Sequence, residues 1–75
     1  MAYAAYDDLS IYAVHNTAEG ALSKALADSG CPEAKFQVAP ITDDFAAWIS
    51  RNGWDGMHRS FEVADNGFLV DTTSA

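Results

Sequence analysis

The sequence predicts a small single α+β domain over residues 1–75. Its two helices pack on one face of a three- or four-stranded, mainly antiparallel sheet, in the order β-α-β-α-β-β. Three observations predict this. Two stretches carry helical apolar spacing between recognisable caps. Asn66-Gly67 lies between two short runs rich in apolar residues and signals a hairpin. Turn residues recur at short intervals, with no repeat, linker or low-complexity tract between them.

Leu9 to Val14 is rich in β-formers and reads as the first strand. The alternative is a helix within Met1 to His15, capped by Asp7 or Asp8 and lined by Leu9, Tyr12 and Ala13. The first helix follows. Asn16 or Thr17 caps it, and Glu19 stands three residues after Asn16, as in a capping box. Ala18, Ala21, Leu22, Ala25, Leu26 and Ser29 recur at helical spacing, and their small side chains would let the helix lie close to a sheet. Gly30 supplies a left-handed end, Pro32 prevents continuation, and Cys31 would pack on Leu26. Ala34 to Ala39 alternates around Phe36 and Val38 and reads as a strand ending at Pro40.

Thr42 caps the second helix, and Asp43 and Asp44 favour the positive end of its macrodipole. Phe45, Trp48 and Ile49 form the apolar face. Gly53 ends the helix, with Trp54 packing back on Ile49. The hairpin is expected to close with a two-residue type I′ turn at Asn66-Gly67. That register puts Val63 opposite Val70 and Glu62 opposite Asp71, a like-charge pair unfavourable by up to about 1 kcal/mol. Glu62 and Asp71 then share the outer face of the hairpin.

Composition bounds the rest. A chain of 75 residues has a thin core, with an expected stability of roughly 3–5 kcal/mol. The single Cys31 can form no internal disulfide, which fits a reducing compartment. Met1 to Asp8 has no basic segment leading into an apolar run, so no signal peptide is expected. No stretch is apolar enough to span a bilayer. The expected location is the cytoplasm. Eleven acidic residues against four basic ones give a formal net charge of −7. Such a charge disfavours direct binding of nucleic acid or anionic membrane and favours a protein partner with a basic surface. It also serves solubility.

Nothing in the spacing of residues points to catalysis, a metal or a cofactor. His15, Cys31 and His58 lack a nucleophile elbow, a glycine run for an oxyanion hole and a third orienting group. A thiol just after a helix C-terminus also meets the negative end of the dipole, which raises its pKa. The aspartates follow no calcium-loop pattern, and Gly53 to Gly56 is too short for a phosphate cradle.

The candidate partner-binding residues are therefore surface groups: Glu62, Asp71, Asp65, Asp55, Trp54, Asp7 and Asp8. Trp54 lies with Met57 in a glycine-flanked loop, and large apolar loop residues are enriched at interfaces. Trp54 can equally complete the core. The tyrosines Tyr3, Tyr6 and Tyr12 either pack on the sheet or form an aromatic patch. Spaced carboxylates can imitate phosphates and enter a basic groove, speeding association and setting specificity.

In length, charge, lack of catalytic motifs and the acidic hairpin around Glu62, Asp65 and Asp71, the chain resembles the small acidic phage proteins that act against bacterial defences. Anti-CRISPR and DNA-mimic inhibitors are among them. The resemblance is one of profile, with no motif matched. It implies a non-enzymatic inhibitor in the host bacterial cytoplasm that blocks nucleic-acid binding by a CRISPR surveillance complex or a nuclease. The competing expectation is a small homodimeric or antitoxin-like assembly module using its aromatic loop or a sheet edge.

Overall fold

The computed structural model describes residues 1–8, 10–30 and 35–73. The chain runs β1 (Ala2–Tyr6), β2 (Ile11–His15), α1 (Ala18–Ser29), β3 (Gln37–Ile41), α2 (Asp43–Asn52), β4 (Phe61–Val63) and β5 (Leu69–Asp71). The α+β class is as expected; the arrangement differs from the expected one. The strands form two sheets, a three-stranded sheet in the order β2-β1-β3 and a separate β4-β5 pair. All pairings are antiparallel.

The strand expected over Leu9 to Val14 is present as β2, no helix forms there, and a further strand, β1, precedes it. The two form a hairpin, joined by a turn around Asp7. The alanines of β1 are what obscured it. Ala2, Ala4 and Ala5 are weak β-formers, yet all three are buried, Ala4 and Ala5 completely. Packing on both faces of a central strand decides the conformation here. The pairing skips Tyr12, which is the extra residue of a β-bulge opposite Ala5 and Tyr6. Leu9, the start of the expected strand, lies outside the described residues, as do Ala34 and Cys31.

Thr17, not Asn16, caps α1, accepting a hydrogen bond from Gly20 N–H at 3.0 Å. Gly30 ends it in the left-handed conformation. Thr42 caps α2 through the Phe45 N–H at 3.2 Å. β3 continues through Pro40 to Ile41. A proline is tolerated there because β3 is an edge strand, where a missing N–H can face the open side.

The helices lie on opposite faces of the three-stranded sheet, against the expectation of one shared face. Ala21 and Ala25 of α1 pack on Ala5 and Ala13, with Tyr3, Phe36 and Val38 around them. The other face, built by Ala2, Ala4, Ile11, Ala39 and Ile41, receives Phe45, Ala46 and Ile49 of α2. Leu69 of the β4-β5 pair, Trp54 and Phe61 join that side. The cause is that β1 is buried on both faces, so each face needs its own cover.

The β4-β5 register also departs from the sequence reading. Phe61 pairs with Asp71, Glu62 with Val70 and Val63 with Leu69. The loop is Asp65-Asn66-Gly67. Gly67 N–H bonds Ala64 C=O, and Ala64 N–H bonds Phe68 C=O, both at 2.8 Å. Gly67 alone in this loop has positive φ, at 87°. This is a type I turn closed by a glycine bulge. A type I′ turn needs positive φ at Asn66 as well; instead the Asn66 side chain accepts from Phe68 N–H at 3.0 Å. The Glu62–Asp71 like-charge pair is therefore not formed.

Candidate functional site

Three of the candidate carboxylates converge. Asp7, Asp8 and Glu62 line one open groove of about 520 Å³, with Tyr6 and Gln37 on the sheet side. Gly56, Arg59, Ser60, Phe61 and Val63 form the opposite side. The groove thus runs between the β1-β2 turn and strand β4.

Each wall has a local origin. The Asp7 carboxylate folds back on its own turn, accepting from Ser10 N–H at 2.8 Å, while Asp7 N–H bonds Ser10 C=O at 3.0 Å. Asp side chains commonly hold a turn this way. The negative charge of Asp7 also pushes the Tyr12 hydroxyl above its ordinary pKa, and the hydrogen bond between them adds to the shift. Asp8 is exposed beside it. Tyr6 fixes the groove floor, donating to Gln37 Oε1 at 3.0 Å and meeting Phe61 edge-on at 5.5 Å. Glu62 is exposed and opposite Val70.

The other four candidates are placed elsewhere. Asp71 shares the inner face of the hairpin with Phe61, Val63 and Leu69 by alternation. Its side chain is 25% exposed and ion-paired with Arg59. Partial burial pushes the Asp71 pKa up, but hydrogen bonds from Thr73 and Arg59 outweigh that and hold it below the ordinary carboxylate value. Asp55 organises its own loop, accepting from Met57 N–H at 3.0 Å and meeting His58 Nδ1 at 2.6 Å. The His58 hydrogen bond, followed by that from Met57, lowers the Asp55 pKa. Asp65 sits in the hairpin loop. Trp54 is half-buried, edge-on to Phe45 at 5.9 Å, Phe61 at 5.8 Å and Trp48 at 6.5 Å. It extends the core, as the alternative reading had it.

Arg59 was not singled out in the sequence, and it organises this side of the molecule. Its guanidinium lies 4.4 Å from the Trp48 ring centroid and 5.7 Å from that of Trp54. Arginine over a tryptophan face is favourable, and more so when desolvated. Its Nε and Trp54 Nε1 are buried without a hydrogen-bond partner among the described residues. The signal was present. Arg59 has the same parity as Phe61 and Val63, so strand alternation alone placed a cation on the apolar face, where it requires an anion.

The histidines serve separate neighbourhoods. His15 Nδ1 stands 3.3 Å from Thr17 N–H at the start of α1, whereas His58 pairs with Asp55 in its loop. Among the described residues no group of three metal-ligating side chains assembles. No helix among them is long and apolar enough to cross a membrane. The tyrosines form no common patch: Tyr3 packs on the α1 side, Tyr6 on the hairpin side, and Tyr12 tilts against Phe36 at 4.8 Å.

The second pocket, about 250 Å³, lies between β2, residues of both helices, including Lys24, Asp28 and Ile49, and the segment Gly53-Trp54 after α2. It gathers no like-charged cluster. The acidic groove is the better candidate site. Comparison with protein-family models, curated proteins and solved structures finds no match for the chain.

Proposed function

We propose that the chain is a non-catalytic binding protein whose acidic groove engages the basic, nucleic-acid-binding surface of a partner protein. This is the mode of phage-type inhibitors that mimic DNA or block CRISPR machinery. The observation that carries the reading is the convergence of Asp7, Asp8 and Glu62 on one groove, in a chain of formal net charge −7. Asp7 has a structural task in its turn; among the described residues Asp8 and Glu62 have no hydrogen bond or ion pair that would account for them locally. Carboxylates placed on a concave surface focus a negative potential there.

The test is a comparative capture. Immobilised chain and an Asp8→Lys/Glu62→Lys variant are exposed to lysate of a bacterium carrying defence systems. Nucleic-acid-binding proteins retained by the first and lost with the second are the expected result. Equal retention by both would remove the groove from the account.

One observation favours a second reading, an interaction module built on apolar contact. Met57 is 90% exposed on the loop beside the groove. That reading expects Met57→Ala to weaken association more than the charge reversal does, and expects a dimer by light scattering.

A further inference from the structure

We infer that the outer edge of β4 accepts an extended, basic segment of the partner as an added β-strand. The inference rests on the proposal that the partner is a basic protein and specifies how that partner is held.

The backbone carries the argument. In an antiparallel pair, residues alternate between those bonded to the partner strand and those facing away. Ala64 N–H bonds Phe68 C=O at 2.8 Å, and Thr72 N–H bonds Ser60 C=O at 2.9 Å. With Glu62 opposite Val70 between them, residues 60, 62 and 64 direct their amides and carbonyls at β5. Those of Phe61 and Val63 point to the other edge. They find no partner among the described residues. An unpaired strand edge is a template for another strand.

This edge borders the groove. Ser60, Phe61, Glu62 and Val63 are consecutive residues lining the groove, facing Tyr6, Asp7, Asp8 and Gln37. Four residues offer an extended chain about 13 Å of contact at strand rise. Side chains of the incoming strand that share the face of Glu62 meet a carboxylate across the ladder, with Asp8 and Asp7 on the far wall. Opposite charges across a strand pair are favourable. Val63, 45% exposed, meets the alternate positions, which are best filled by apolar residues. The occupant that fits alternates basic and apolar residues. A second copy of this chain does not fit, because eleven acidic residues against four basic ones would bring carboxylates into a groove of carboxylates.

The test uses three short synthetic peptides on the full chain: alternating Lys and Val, the same sequence N-methylated at every second amide, and alternating Glu and Val. Backbone ¹⁵N shifts and amide exchange are read at Phe61 and Val63. The Lys–Val peptide is expected to bind and to protect those two amides. N-methylation should weaken it at least about tenfold, and the Glu–Val peptide should not bind. Val63→Pro supplies the converse. Its lost N–H faces the groove and not β5, so protection of the Ala64 and Thr72 amides should persist while Lys–Val binding falls by about tenfold or more. Should that variant not fold, the N-methylated peptide on the unaltered chain decides.

If the N-methylated peptide binds as well as its parent, strand addition is wrong and the acidic-groove proposal survives. If Lys–Val binds without protecting Phe61 and Val63, the outcome is the same. If the Lys–Val and Glu–Val peptides behave alike, both ideas fall.

Discussion

Arg59 holds a positive charge against Trp48 and Trp54, and Asp71 supplies its counter-ion from the neighbouring strand. Asp71→Asn should cost about 1 kcal/mol at neutral pH, the upper range for a partly exposed pair. The pKa of Asp71 is lowered in the folded chain from an ordinary value of 3.8. Its stabilisation is therefore complete above that value and is lost as pH falls through the folded pKa. Urea unfolding of both proteins across pH should show the gap closing in acid. A gap independent of pH would mean that the ion pair contributes nothing.

A second residue-scale prediction concerns Gly20. A Cβ there would collide with the His15 imidazole, which is exposed and can swing away at the expense of its contact with Thr17. Gly20→Ala should therefore destabilise by about 1 kcal/mol or less, although alanine is the better helix former. Combining it with His15→Ala should restore most of the loss in thermal melts. At this scale the sequence was legible where chemistry is local, as with Thr42 and Gly30. It carried the parity that turns Arg59 inward but not its partner Asp71, because the pairing depends on a hairpin register the dipeptide Asn66-Gly67 misstated.

The elements show where local signals win and where packing overrides them. Both helices declare themselves through caps, since an N-cap side chain satisfies amides within a few residues of itself. β1 does not, because a strand of alanines is specified by what lies above and below it. Ala21 and Ala25 against Ala5 and Ala13, all 5% exposed or less, make an interface without room for larger groups. Ala25→Leu should therefore cost at least about 1–3 kcal/mol by denaturant unfolding; a neutral effect would mean that α1 is free to move outward. In the hairpin, only Gly67 needs positive φ. Gly67→Ala should cost roughly 1–2 kcal/mol, and Asn66→Ala less. Comparable losses at the two positions would argue for the type I′ turn after all.

At the scale of the molecule, the elements bring a turn of the main sheet and the separate hairpin together, and the groove between them collects carboxylates far apart in sequence. Charge and length were readable from composition. Which acids act together was not, because Asp8 and Glu62 meet only through tertiary packing. Half of the expected acidic face lies outside the groove: Asp55 holds its own loop, Asp71 is ion-paired with Arg59, and Asp65 is exposed in the hairpin loop. The central claim is that position, not net charge alone, gives the acidity its role. The direct measurement is the affinity of a lysine-rich peptide for three proteins: the unaltered chain, Asp8→Lys/Glu62→Lys, and Glu19→Lys/Asp28→Lys on α1. The last two carry the same net charge. Between about 50 and 300 mM salt, where screening of exposed charges is steep, the groove variant should lose at least about tenfold in affinity and much of its salt slope. The α1 variant should stay close to the unaltered chain. Equal losses in the two variants would contradict the account and leave the acidity as a matter of solubility.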